Sequence, residues 1–284
     1  MYDAFKMYKQ RLEIVNYSSK TIDLYIRDLN YLLHYIERTI NGPIYLSELT
    51  SGDLEEFLHC LKKKGIAPNS LNRYLYTFRS FYKFAVKKEL VIRDISRLID
   101  PVKLPYKERQ YLTKDEIEQL MDAVNHQLIK LVVLFLANTG LRISECLALT
   151  LDDVDLETKI IHVTQGKGGR DRNVPINNRL YSELTDYKDN WRDAYGSNLF
   201  FATKKTGSLS AVYTNSIIRK TAKELGWRKK VSCHILRHSF ASNLVRNKVG
   251  LVEIQKLLGH SSLATTSVYT HADMEQLNEA VNTL

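Results

Sequence analysis

CHILRHSFASNL, residues 233–244, brings His234, Arg237 and His238 within five positions of a segment that is otherwise apolar at helical spacing. Leu236, Phe240, Ala241, Leu244 and Val245 supply the face that an amphipathic helix turns to a core. His234 and Arg237 lie one turn apart, so both can address one group. His238 is expected to point elsewhere around the helix and to be structural, bonding buried backbone. The His234/His238 pair has the i, i+4 spacing of a zinc site, but it lacks the glutamate of HExxH and a third ligand nearby.

The bulk numbers bound what such a helix serves. The 284 residues allow one large domain or two modest ones. Hydrophobic content of 44% and charged content of 26% suit a globular protein with a real core. The net charge of +9 favours a polyanionic partner. That excess is shared, with 16 basic against 12 acidic residues in 1–100 and 25 against 20 afterwards, so it is no disordered basic tail. Cys60, Cys146 and Cys233 are scattered and odd in number, which suggests a reducing compartment and offers no disulfide framework or zinc spacing. No apolar run approaches membrane-span length, and the start MYDAFKMYKQR is too polar for a signal peptide. A cytoplasmic protein facing nucleic acid, with no membrane partner, is the expectation.

Residues 18–38 place Ile22, Tyr25, Ile26, Leu29, Leu32, Leu33 and Ile36 on one helical face behind a serine cap. DLEEFLHCLKKKG (53–65) reads as a second helix closed by Gly65. Residues 68–89 read as a third, with Leu71, Leu75, Phe78, Tyr82 and Ala85 inward. Its other stripe is Arg73, Tyr76, Arg79, Ser80, Lys83 and Lys87. Such a stripe is either a solvated face or a phosphate-contacting one. Tyrosines interleaved with basic residues, in a chain already basic, favour DNA binding by Arg73, Tyr76, Arg79, Lys83 and Lys87. DPVKLPYKERQYLT (100–113) carries Pro101, Pro105 and charges without periodicity, as a linker does. The expected organisation is therefore a helical DNA-binding domain over 1–100, a linker over 101–110 and a second domain over 111–284, whose first helix Thr113 caps.

The second domain reads as mostly helical, with one exception. Ile160–Val163 and Arg172–Ile176 are short β-rich runs joined by QGKGGRD, a hairpin with Lys167 at its glycine-flanked tip. This is no P-loop, because the full glycine pattern and the following Ser or Thr are missing. ANTGLRISECLALTLDDV (137–154) sets Arg142 at the opening of a helix whose Ile143, Cys146 and Leu147 look buried. An arginine there needs an anion or a carboxylate, and Glu145 is the local candidate. VEIQKLLGH ends a helix at Gly259 and leads through His260 to a serine-capped segment presenting Tyr269. Between Arg219 and Lys248 nine basic residues face a single acid, Glu224.

Arg142, Lys167, His234, Arg237, His260 and Tyr269, in that order, resemble the signature of the tyrosine site-specific recombinases, the phage integrase family. TGLRISE, HILRHSFAS, LLGH and YTH match around them, with no departure at the six positions. The resemblance covers nearly the whole chain. It implies a mainly α fold, with an N-terminal α-helical, SAM-like core-binding domain. An α+β catalytic domain with a small β-sheet hairpin and a C-terminal tail helix would follow. No further domain is expected before the core-binding helices, so the layout is similar to the compact Xer-type recombinases. It is also similar to the tyrosine-type resolvases, of the TnpI type, of some class II transposons.

The resemblance implies DNA strand exchange through a covalent 3′-phosphotyrosine and a Holliday junction, by a homotetramer on two double-stranded sites, with neither ATP nor metal. The uses would be transposon cointegrate resolution or replicon dimer resolution, with accessory sites or helper proteins as further partners. The residue types suit that chemistry. Arg142 and Arg237 are permanent cations whose forks match phosphate. Tyr269 can act as a covalent nucleophile that must lose its proton, and His234 is expected to accept that proton or to orient the attacking phenol. His260 adds a hydrogen bond to the phosphate, and Lys167 can protonate the leaving 5′ oxygen. Two other readings stay open: a type IB topoisomerase-like relaxase, and a DNA-binding regulator that has kept the fold without the reaction. Met274, Leu277, Val281 and Leu284 make a narrow apolar stripe after Tyr269. A helix that short needs a surface to cover, on its own domain or on a neighbouring protomer.

Overall fold

The helical period of the first hundred residues becomes a four-helix unit: α1 (Tyr2–Ile14), α2 (Ser19–Ile40), α3 (Ser51–Lys63) and α4 (Pro68–Lys87). The structure is a computed structural model that describes residues 1–40, 45–105, 110–164, 171–192 and 196–259. Its two compact units are Met1–Lys107 and Glu108–Leu284. The Ser18 hydroxyl accepts the Thr21 amide at 3.2 Å and so caps α2. Ile22, Leu29, Leu32, Leu33 and Ile36 are buried, with Tyr25 and Ile26 half-buried at the edge of the same core. Gly65, at φ +80°, closes α3, while the Ile66 amide reaches back to the Leu61 carbonyl at 3.1 Å. In α4 the expected inward residues Leu71, Leu75, Phe78, Tyr82 and Ala85 are all buried. Phe5 and Tyr8 of α1 meet Phe81 edge-on at 5.1 and 5.5 Å, which adds ring geometry to the burial.

The opposite stripe of α4 is more occupied than its pattern suggests. Arg73 pairs with Asp28 of α2, a carboxylate only 1% exposed that also accepts the Thr77 hydroxyl at 3.2 Å. Arg79 donates to the Ile99 carbonyl at 2.7 Å, and Ser80 accepts the Tyr8 hydroxyl at 2.7 Å. Tyr76, Lys83 and Lys87 are exposed. The start of the proline-containing segment is held too. The Asn72 side chain donates to the Val102 carbonyl at 2.9 Å and accepts the Val102 amide at 2.7 Å.

The second unit contains α5 (Lys114–Ala123), α6 (Gln127–Thr139) and α7 (Ile143–Cys146), then strands β1 (Val154–Asp155), β2 (Ile160–Val163) and β3 (Arg172–Pro175). After the strands come α8 (Asn178–Asp186), α9 (Ala211–Glu224), α10 (Cys233–Arg246) and α11 (Leu251–Leu258). Thr113 caps α5 in a reciprocal box with Glu116. α6 is apolar nearly all round, and its Ile129, Val132, Val133, Phe135 and Leu136 are completely buried, as a central helix requires. The predicted hairpin strands form with Val163 opposite Arg172 and Ile160 opposite Pro175. The two-residue strand β1 adds an antiparallel edge that the sequence did not announce. α10 packs on α6 and α11. The expected C-terminal tail helix lies outside the described residues.

Candidate active site

Arg142 owes its position to a sharp turn. α6 ends at Gly140, which takes the left-handed conformation at φ +65°. A side chain there would meet the Phe240 ring at 2.4 Å, so the approach of α10 also demands glycine. Leu141 is fully buried and pins the turn, and Arg142 follows at the N-cap of α7. The Arg142 backbone N–H donates to Glu145 Oε2 at 2.8 Å and its Nη1 to Glu145 Oε1 at 2.6 Å. The local carboxylate partner foreseen for this arginine is therefore in place.

Arg237 reaches the same carboxylate from α10. Its side chain is 3% exposed and lies 3.9 Å from Glu145 Oε2. It donates through Nη1 to the Gly140 carbonyl at 2.6 Å and through Nη2 to the Leu258 carbonyl at 2.7 Å. These bonds meet the cost of burying a cation and tie the Arg142 turn to the end of α11.

A third guanidinium, Arg172 of β3, completes the cluster. It donates to Glu145 Oε2 at 2.8 Å and Oε1 at 3.4 Å, and through Nε to the Leu257 carbonyl at 2.9 Å. Sequence reasoning placed Arg172 in a strand and gave it no role. A signal was available, because Arg172 shares its face of the strand with buried Val174 and Ile176. Burial pushes the Glu145 carboxyl up, but the bonds from Arg172 and Arg142 prevail and bring it down to about 2. Among the described residues, one anion thus meets three cations.

His234 is exposed on the first turn of α10. The Cys233 amide fixes that turn by donating to Asn215 Oδ1 at 3.0 Å. His238 does not point elsewhere as expected: its buried ring meets His234 edge-on at 4.5 Å. The reason is the helix period, which sets i and i+4 on one face. Among the described residues no cluster of His, Cys, Asp and Glu could hold a metal ion. Cys146 and Cys233 are buried free thiols. Lys167, His260 and Tyr269 lie outside the described residues. The residues flanking two of them are described: β2 and β3 bracket the Lys167 segment, and left-handed Gly259 precedes His260.

Of the basic run beyond residue 219, Arg219, Lys223, Arg228, Lys229 and Lys230 surround a cavity of about 420 Å³. Lys229 is also anchored, donating to Glu116 Oε1 at 2.6 Å. Among the described residues no helix is long and apolar enough to cross a membrane.

The chain matches the phage integrase family over residues 110–276 and the phage integrase N-terminal SAM-like domain over residues 5–89. It belongs to the phage integrase family, the tyrosine recombinases, enzymes that break and rejoin DNA strands. Its relatives are of the compact Xer-like type. The chain is 32% identical over 282 residues to tyrosine recombinase XerA of Pyrococcus horikoshii, covering 98% of this chain and 92% of that one. It is 30% identical over 291 residues to tyrosine recombinase XerC of Pediococcus pentosaceus, covering 98% and 96%. Its fold is similar to that of the Tn1549 transposon integrase in complex with transposon right end DNA, with a TM-score of 0.80, 99% of each chain covered and 18% identity.

Proposed function

We propose that the protein is a site-specific DNA recombinase acting through a covalent phosphotyrosine at Tyr269. The observation that carries this is the convergence of Arg142 and Arg237 on one carboxylate from separate elements, with His234 exposed one turn from Arg237. Paired guanidiniums are preorganised donors for the non-bridging oxygens of a phosphodiester, where charge gathers as the nucleophile attacks. The Tyr269 oxygen bonds to phosphorus while its proton passes to His234. The bond from phosphorus to the 5′ oxygen breaks, and Lys167 supplies that oxygen's proton. His260 donates to the phosphate. Attack by a new 5′ hydroxyl reverses every transfer, so the covalent intermediate conserves the bond energy and rejoining needs no nucleotide cofactor.

The substrate is double-stranded DNA carrying recombination sites, met by both units. Lys83, Lys87 and Tyr76 are the exposed part of the α4 stripe available to it, with Arg73 and Arg79 behind them. The assembly is a homotetramer on two sites that passes through a Holliday junction, and the segment after Tyr269 docks on a neighbouring protomer. The task is cointegrate or dimer resolution. The Xer relatives and the DNA-bound integrase support this reading.

The test uses nicked duplexes tiled from the DNA flanking the gene. The wild-type chain should form a protease-sensitive adduct on one of them, and Tyr269→Phe should bind that duplex equally and form none. An adduct formed by Tyr269→Phe at the wild-type rate would remove the nucleophile.

A further inference from the structure

Arg172 lies beneath the proposed site rather than in it. Its Nε, Nη1 and Nη2 are all committed to protein acceptors, Nε to the Leu257 carbonyl and the Nη pair to Glu145. Yet Arg172 touches what holds both proposed catalytic arginines. Its fork occupies both oxygens of Glu145, so Arg142 keeps a single side-chain bond to that carboxylate. Its Nε holds the Leu257 carbonyl, and the next carbonyl in the chain, Leu258, anchors Arg237. The chain is shaped around the guanidinium as well: a side chain at Gly259 would come within 3.0 Å of Arg172 Cδ and Nη1.

We propose that Arg172 is a positioning residue for strand cleavage, holding Glu145 so that Arg142 and Arg237 keep N–H groups aimed at the phosphate. A carboxylate and a guanidinium form a bidentate fork when nothing prevents it. With Arg172 gone, Glu145 is free to turn and take Arg142 in such a fork. That consumes a second of its five donors and draws its charge away from the reacting group. Arg172 prevents this by competing for the same two oxygens. The inference rests on the recombinase reading above.

Glu145 also supplies a readout that a purely structural arginine would not move. Among the described residues, the charged groups facing it are Arg142 at the start of its own helix, Arg172 from β3 and Arg237 from α10; α11 and the end of α6 contribute backbone carbonyls to the cluster. Without Arg172, burial acts on the carboxyl against fewer cations, so its proton affinity rises. Protonation then releases Arg142 at a pH where the wild-type carboxyl is ionised.

The experiment measures adduct formation on the nicked duplex against pH for the wild type, Arg172→Gln, Arg172→Lys and the double variant Arg172→Gln/Glu145→Gln. Melting temperature and duplex affinity are followed in parallel. Arg172→Gln should bind like the wild type and cleave on the order of 10²-fold more slowly, the loss typical of a misplaced reacting group. Its rate should carry a further acid-side loss, beyond the one that His234 as proton acceptor gives the wild type. Arg172→Lys keeps the charge but not the fork, so it should fall between them and keeps the idea testable if the glutamine variant folds poorly. The double variant should lose that further component and keep only the wild-type acid limb, having no carboxyl at 145 to titrate. A glutamine variant that cleaves at the wild-type rate, or slowly with the wild-type pH profile, overturns the proposal. A wild-type chain that forms no adduct on any tiled duplex overturns the recombinase reading first and this with it.

Discussion

Glu145 answers three arginines, and its ionisation sets the pH range in which it can do so. A carboxyl held at about 2 in the folded chain, against an ordinary 4.5, stabilises the fold fully above the ordinary value. That stability is lost as pH falls toward the folded value. Glu145→Gln should therefore cost on the order of 3 kcal/mol at neutral pH, a difference that shrinks between pH 4.5 and 2. Urea unfolding of both proteins across that range checks it. The two proposed catalytic arginines should fail differently. Arg142 is partly exposed, so Arg142→Ala should lower the cleavage rate by about 10²–10³ with modest loss of stability. Arg237→Ala strands the buried Gly140 and Leu258 carbonyls, at about 1–3 kcal/mol each, so its melting temperature should fall along with the rate.

On the proposed reading helix α4 divides its basic face between two tasks, and substitution should separate them. Arg73→Ala leaves Asp28 buried without its cation and should cost about 3 kcal/mol of stability. Lys83→Ala and Lys87→Ala remove exposed charges. Each should leave stability unchanged and lower the slope of DNA affinity against salt by about 1. Titrations at several salt concentrations, beside thermal melts, tell the two classes apart. The same helix shows what a sequence can and cannot disclose. Its inward residues repeat with the helical period, so Leu71 through Ala85 were legible. Whether Arg73 met water or Asp28 depended on a residue 45 positions away, which no local pattern reveals. The hairpin strands were legible from their β-branched residues, whereas the two residues of β1 form a strand only because β2 lies beside them. Arg142 and Arg237 stood out because their neighbourhoods are distinctive. Arg172 did not, because its meaning depends on which face of β3 meets the core and on the carbonyl of Leu257.

Positive charge lies on both units, 16 basic against 12 acidic residues in 1–100 and 25 against 20 beyond. Affinity for site DNA should therefore fall steeply with ionic strength. A chain of residues 108–284 alone should bind much more weakly, with a shallower slope. A fragment that reproduced the full affinity and footprint would show that the first unit contributes nothing to binding. The join between the units has its own chemistry. Asn72 grips both backbone groups of Val102 much as a neighbouring strand would, and the next residue, Lys103, is exposed. Trypsin needs a locally unfolded stretch around the bond it cuts, so cutting after Lys103 requires this grip to open, and its rate reports how often that happens. Asn72→Ala should speed tryptic scission at Lys103 while the helices on either side stay resistant. A single amide side chain thereby sets how often the bond after Lys103 is presented to a protease.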